Sequence, residues 1–365
     1  AIGAGGGSIA WVDESGVIKV GPFSVGSEPG PACYDRGGRE ATLTDANLIL
    51  GRINPAYYWG GRMKLRKDLA EKAIGKVSGQ IGLNVSEGAS GMCKIANANM
   101  ADLITSFVIS RGHDIRDFVL LGCGGMGPLH AAYVGREAGV RMVVIPPSSE
   151  VYSALGIAFS DIIHIYETTD ILHLATLDDR TILERIRTNI TRLTNQAVKQ
   201  FKEEGFDPTK ALYGYYVGMR YALQFWTLFI PIATTTLSTS KDLEKLYEDF
   251  DKKYEEVYGK GAGFTEGGRE ITTFRLRASY KHIAPSIPRI EPRIADVRLS
   301  VKEKRKVFWD EKGEFVDTAI YDGEKLSPGN KMEGPAIIEF PNTTIALPPE
   351  FQLEVGCYRE FLIRW

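Results

Sequence analysis

Gly122-Cys123-Gly124-Gly125-Met126-Gly127 lies between an apolar stretch, Phe118–Leu121, and Pro128, which opens a helical pattern. Glycines in that setting let backbone approach a ligand, and a helix start presents unpaired N–H groups with partial positive charge. The chemistry open to such a turn is to hold an anion, a phosphate above all. The spacing matches G-x-G-x-x-G, so a dinucleotide-binding turn is the first candidate. That reading also needs an acidic residue about 20 residues on, at the end of the next strand. The next apolar run, Met142–Ile145, ends in Pro146-Pro147-Ser148 with no acid before Glu150, and the nicotinamide reading fails there. Alone, such a match is as often a tight turn with no ligand.

A second glycine loop, Gly3-Ala4-Gly5-Gly6-Gly7-Ser8, leads into a hairpin pattern instead of a helix. Two such loops on separate units suit a nucleotide clasped between subdomains, one loop on the phosphates and one near the nucleoside. Gly-Lys-Ser/Thr occurs nowhere, which excludes a P-loop enzyme; G-x-S-x-G and H-E-x-x-H are also absent. The combination fits the actin-like sugar-kinase superfamily, whose ATP sits in a cleft without a P-loop.

The elements that must position these loops follow from pattern. Ile9–Val12 and Val17–Val20 flank Glu14-Ser15-Gly16 and read as a hairpin. Leu65–Ile81 and Glu87–Ser110 carry helical spacing, the second placing Ile95, Met100, Leu103, Ile104 and Phe107 on one stripe. Phe118–Leu121 reads as a buried strand, Pro128–Ala138 as a helix and Arg141–Ile145 as a strand, a βαβ run typical of α/β proteins. Beyond Tyr166 the pattern gives a helix at Leu177–Glu204, strands at Tyr213–Tyr221 and Phe225–Ile232, a helix at Lys241–Tyr258 and a strand at Ile271–Ser279. Pro285, Pro288 and Pro292 mark a linker, and short strands between turns follow from Val301.

The 365 residues, enough for two or three domains, carry 44 Lys plus Arg against 46 Asp plus Glu, a net charge of −2. Such a balance gives no electrostatic reason to expect nucleic acid or a membrane surface. Even the apolar run Phe225–Ala233 falls far short of the roughly 20 residues of a membrane span. Cys33, Cys93, Cys123 and Cys357 form no C-x-x-C pair, which fits a reducing, cytoplasmic setting. The chain opens on Ala1 and runs straight into a glycine loop. Since a binding loop at a free terminus frays, this is expected to be part of a larger protein.

At this point a resemblance carries further. Ile2–Trp11, Pro29-Gly30-Pro31-Ala32-Cys33-Tyr34, Thr44-Asp45-Ala46-Asn47-Leu48, Gly51-Arg52-Ile53-Asn54-Pro55, Gly124–Ala131, Ser153-Ala154-Leu155-Gly156, Met219-Arg220-Tyr221 and Gly334–Glu339 occur in this order. The chain resembles, nearly end to end, the A-type subunit of the hydantoinase/5-oxoprolinase family, which includes the ATP-dependent ketone carboxylases. The resemblance implies an α/β fold: the second half of an actin-like, ribonuclease-H-like ATPase domain over 1–172, an α+β region over 173–287 and a β-rich module over 288–365. It implies ATP and Mg²⁺, with Gly5, Gly6, Gly7 and Ser8 on phosphate oxygens and Gly122, Gly124, Gly125 and Gly127 near the nucleoside or its phosphates. The family's upstream half opens with an Asp-x-Gly-Gly-Thr phosphate loop that does not occur in this sequence; that half is expected to be a separate chain, or to have been lost or not included here, and it must be supplied, together with a B-type subunit in a hetero-oligomer. The chain alone is expected to be inactive.

Cys33, Asp45 and His130 lie in these motifs, and thiolate, carboxylate and imidazole together suit Zn²⁺. Their long spacing equally allows a buried cysteine, an N-capping aspartate and a packed histidine, and Asp45 could instead serve Mg²⁺. Arg220 reads as an anion ligand or, more commonly, an interdomain ion pair. His113 reads as a structural residue at a helix end, Cys93 as core, and Cys123 as lacking a base to make it a nucleophile. The activity implied is ATP-driven activation of a carbonyl, for ring-opening of a cyclic amide or imide or for carboxylation of a ketone. A structural subunit with a vestigial nucleotide fold is the reading from another class.

Overall fold

The structure is a computed structural model and describes residues 2–233, 237–293 and 296–365. It divides into two compact units, one formed by Ala1–Ile157 with Ser286–Trp365 and the other by Ala158–Pro285.

The first unit opens with strands β1 (Ser8–Val12) and β2 (Ile18–Ser24), paired antiparallel as the hairpin pattern predicts. Helix α1 (Leu43–Ile49) starts at a capping box: Thr42 accepts from the Asp45 N–H while the Asp45 carboxylate accepts from the Thr42 N–H. Helices α2 (Lys67–Ser78) and α3 (Val85–Ile109) follow, the latter begun by a second box between Asn84 and Glu87. Strand β3 (Val119–Leu121), helix α4 (Gly127–Ala138) and strand β4 (Met142–Ile145) form the expected βαβ run, with β3 and β4 parallel. Pro128 sits in the first turn of α4 and Gly139 ends it at φ 78°, a left-handed cap that a side chain would resist. Helix α5 (Tyr152–Phe159) comes next.

In the second unit, strands β5 (Ile162–His173), β6 (Leu212–Tyr221), β7 (Leu228–Ile232) and β8 (Arg269–Tyr280) make an antiparallel sheet in the order β5-β8-β6-β7. The apolar stripes of α6 (Asp179–Glu203) and α7 (Ser240–Tyr258) cover one face, with Ile186, Leu193, Phe201, Leu246 and Phe250 packed on Val217, Met219, Ile271 and Phe274. β5 lies in this sheet, although the boundary expected at 172/173 gives it to the region before.

The tail returns to the first unit. It forms β9 (Val301–Trp309), β10 (Glu314–Asp322), β11 (Lys331–Glu333), β12 (Ala336–Glu339), β13 (Thr344–Leu347), β14 (Gln352–Val355) and β15 (Phe361–Arg364). β15 pairs antiparallel with β4, which yields the five-stranded order β11-β14-β15-β4-β3, while β13-β12-β10-β9 form a four-stranded sheet. The β-rich stretch expected as a module over 288–365 thus completes the core of the first segment: Val143 and Ile145 pack with Ile338, Ile345, Phe351 and Ile363.

Two expectations about this unit are corrected. β3, read as a buried strand, is an edge strand whose Val119 and Leu121 are 46 % and 43 % exposed. On α3 the buried face consists of small and medium residues, among them Gly88, Ala89, Met92, Cys93, Ala96 and Ala101, whereas Leu103 and Phe107 of the predicted stripe stand exposed.

Candidate functional site

The two glycine loops meet. Gly5, Gly6 and Gly122 through Gly127 line one cavity of about 570 Å³, with Leu103, Leu121 and His130 also on its wall. That volume lies within the roughly 300–1,000 Å³ of small-molecule sites. A Cβ on Gly6 would come 2.7 Å from the Thr44 hydroxyl and 3.0 Å from the Met126 side chain, so the loops approach as only glycine allows.

Hydrogen bonds shape the first loop from within. The Gly5 N–H donates to Ser8 Oγ at 2.9 Å, Ser8 N–H to the Gly5 carbonyl, and the Thr44 N–H and hydroxyl both donate to the Gly6 carbonyl. The N–H groups of Gly6 and Gly7 have no acceptor among the described residues. Ser8, expected on a phosphate, is 2 % exposed, and its hydroxyl also donates to the Gly3 carbonyl. In the second loop Gly122 donates to the Val144 carbonyl and Gly124 to that of Ser149. Gly122 is glycine for packing, since a Cβ there would lie 2.3 Å from Ile145. Gly124, at φ 86°, turns the chain, and α4 begins without a side-chain cap; Pro128 has no N–H and that of Leu129 donates to the Met126 carbonyl, so the Gly127 N–H is the one left without a backbone acceptor in the first turn among the described residues.

Cys33, Asp45 and His130 do not form a metal site. The Asp45 carboxylate accepts at Oδ2 from the N–H groups of Ala32 and Thr42 and the Thr42 hydroxyl, and at Oδ1 from the Cys33 N–H. It is fully buried and committed to organising this turn. Cys33 is fully buried; burial, reinforced by the Asp45 charge, pushes its thiol well up and keeps it protonated. His130 is bonded through Nδ1 to Asn97 Oδ1 at 2.7 Å and through Nε2 to Asn47 Nδ2 at 3.1 Å. Its burial lowers its pKa to about 4. Among the described residues no group of three His, Cys, Asp or Glu could hold a metal ion, and no step is derived through one.

Other sequence-level expectations resolve as follows. Arg220 pairs with Glu270 at 2.9 Å across neighbouring strands of its own sheet, neither a ligand site nor an interdomain bridge. His113 lies past the end of α3 with its ring against Phe118. Cys93 is core, and burial pushes the Cys123 thiol up, away from the thiolate a nucleophile needs.

Pattern reading passed over Thr44 and Thr343, whose hydroxyls brace the carbonyls of Gly6 and Gly125. It also passed over a cluster of rings around Tyr58. The run Tyr57-Tyr58-Trp59 before Gly60-Gly61 is the signal that points to that cluster.

A structure described as nucleotide-free acetone carboxylase superposes with a TM-score of 0.83 at 26 % identity, over 99 % of this chain and 52 % of that one. The ATP-dependent caprolactamase of Pseudomonas jessenii gives 0.74 at 28 % identity, over 98 % and 52 %. The acetophenone carboxylase gamma subunit of Aromatoleum aromaticum is 35 % identical over 98 % of this chain and 49 % of its own length. The chain thus spans about half the length of these relatives, and its fold is the expected α/β arrangement of the actin-like ATPase type. Residues 1–166 match the hydantoinase/oxoprolinase family and residues 176–364 the hydantoinase/oxoprolinase C-terminal domain, and the chain belongs to that family.

Proposed function

We propose that the chain is one component of an ATP-dependent enzyme that activates a carbonyl group, opening a cyclic amide or imide of the hydantoin or 5-oxoproline type. Activation of a ketone for carboxylation is the second reading, favoured by the likeness to the acetophenone and acetone carboxylase chains. The observation that carries both is the single cavity lined by the two glycine loops. When bound, ATP supplies a phosphoryl group that makes a carbonyl oxygen a leaving group or traps an enol. The chain's own share is positioning. The free N–H of Gly6 on one side, and that of Gly127 at the start of α4 on the other, would hold anionic oxygens.

Among the described residues no charged side chain lines this cavity. The remaining charge of a triphosphate must be met from outside this chain, so the chain alone is inactive. The partner we assign is the polypeptide half that the relatives carry beyond the matched region, with its Asp-x-Gly-Gly-Thr loop, and a B-type subunit beside it. β3 offers that half a seat. The Phe118 carbonyl accepts from Arg141 and the Gly122 N–H donates to Val144. By strand alternation Val119 and Leu121 turn their backbone groups away from β4. An added strand there would also cover the exposed Leu103 and Leu121 on the cavity wall.

The test is binding of a non-hydrolysable ATP analogue to the complete assembly. Gly5→Leu, whose Cβ meets nothing within 4 Å, should fold normally yet fill the cavity and weaken binding at least about tenfold, a loss of about 1.4 kcal/mol. Unchanged binding rejects the reading and favours a structural subunit. ADP release with hydantoin, 5-oxoproline, or ketones plus bicarbonate separates the two activities.

A further inference from the structure

Gly125 and Met126 have a second face. Beyond them lies another cavity, of about 560 Å³, which they also line. Five aromatic rings stand on its wall, those of Tyr34, Tyr57, Tyr58, Trp59 and Phe340. The Tyr34 and Tyr58 hydroxyls stand 2.7 Å apart. With Tyr34 donating in that bond and the Thr44 hydroxyl beside it, the Tyr58 proton is the one left for an outside acceptor. Burial pushes both phenols up from their usual value, so each stays protonated and able to donate near neutrality. Trp59 is held at φ 52° and ψ 44°, where a bulky residue is strained, and Gly60 and Gly61 continue the turn. The turn keeps the indole at the cavity, 52 % exposed.

The buried carboxylate at this cavity is neutralised by cations. The buried Glu339 carboxylate accepts from Lys302 at 3.0 Å and from Arg305 at 2.9 Å. Arg36 and Glu150 carry opposite charges on the remaining wall. A flat, uncharged molecule with one strong acceptor suits such a place: its face stacks on the rings and its oxygen meets the tyrosine pair.

We infer that this aromatic cavity holds the carbonyl compound, a small neutral ring such as a lactam, an imide or an aryl ketone. The inference rests on the proposed carbonyl activation and locates its acceptor next to the glycine loops, with Gly125 and Met126 as the shared wall. Tyr58 is then a substrate-positioning residue and Trp59 a stacking surface.

Ligand-observed NMR on the full chain tests it, with hydantoin and acetophenone as probes. Both should bind at millimolar concentration. Tyr58→Phe, which keeps the ring, should weaken them about tenfold, as the loss of one hydrogen bond does. Trp59→Ala, at an exposed position, should weaken them further, while Gly5→Leu in the first cavity should leave them unchanged. Absence of binding by both probes, indifference to Tyr58→Phe and Trp59→Ala, or loss in Gly5→Leu overturns the inference. Nucleotide binding by the assembly, measured separately, stands or falls independently of these results.

Discussion

His130 is held neutral by its surroundings, and that has a consequence for stability. Its ring is buried against Asn97 and Asn47, and its pKa falls from the usual 6.5 to about 4. In the unfolded chain the imidazole takes up a proton near 6.5, so between pH 6.5 and 4 the unfolded state binds more protons and stability drops as the pH falls. A gap of that size corresponds to about 3 kcal/mol, fully present above pH 6.5 and lost by pH 4. Denaturation measured at pH 7 and pH 4 should show this loss, and His130→Gln should remove about that much of the pH dependence. An equal slope in the variant would mean that other groups carry it. At this scale the sequence announces residue types but not their employment. Cys33, Asp45 and His130 stand out as metal-ligating types, yet each is consumed by local bonding that spacing does not encode. The glycines are placed by backbone approach: Gly5, Gly6, Gly124 and Gly125 line one cavity, while Gly7 and Ser8 of the same loop do not.

Elements with strong local signals were legible: the β1–β2 hairpin, α4 between Pro128 and Gly139, and the amphipathic α6 and α7. What local pattern cannot reveal is which strands become neighbours. An apolar triplet such as Val119-Leu120-Leu121 reads the same whether it lies mid-sheet or at an edge. In the structure β3 has β4 as its ladder partner and an open outer edge among the described residues. A matching misreading affected α3, where close packing against α2 selects Gly88, whose Cβ would lie 2.5 Å from Ser78, and the large residues Leu103 and Phe107 stay outside. If the relatives' remaining half seats a strand on β3, the amides of Val119 and Leu121 should exchange rapidly in the chain alone and slow at least about a hundredfold in the complete assembly, as paired ladder amides do. Leu120, already facing β4, should change less. Equal exchange at Val119 and Leu121 in both states places the contact elsewhere.

On the scale of the whole molecule, the first unit is assembled from chain segments separated by more than a hundred residues, and one buried ion pair ties them. Arg52, from the turn after α1, is 1 % exposed and donates to Asp310 at 3.0 Å, at the end of β9. The guanidinium lies over the rings of Tyr133 and Trp309, and its Nε has no partner among the described residues. Burial would raise the Asp310 carboxyl, yet the Ser90 hydroxyl, Arg52 and Lys94 hold it below its usual value. A charge buried this deeply depends on its partner more than the fold depends on the pair. Asp310→Ala leaves Arg52 uncompensated and should destabilise the first unit by about 3–5 kcal/mol, read from chemical denaturation. Arg52→Met on that background removes the stranded charge while keeping an apolar chain between the two rings. It should recover most of the loss, giving a coupling of about 2 kcal/mol or more in the double-mutant cycle. If the two losses add instead, the pair acts only through packing, and the junction between the segments rests on β4, β15 and the apolar side chains around them.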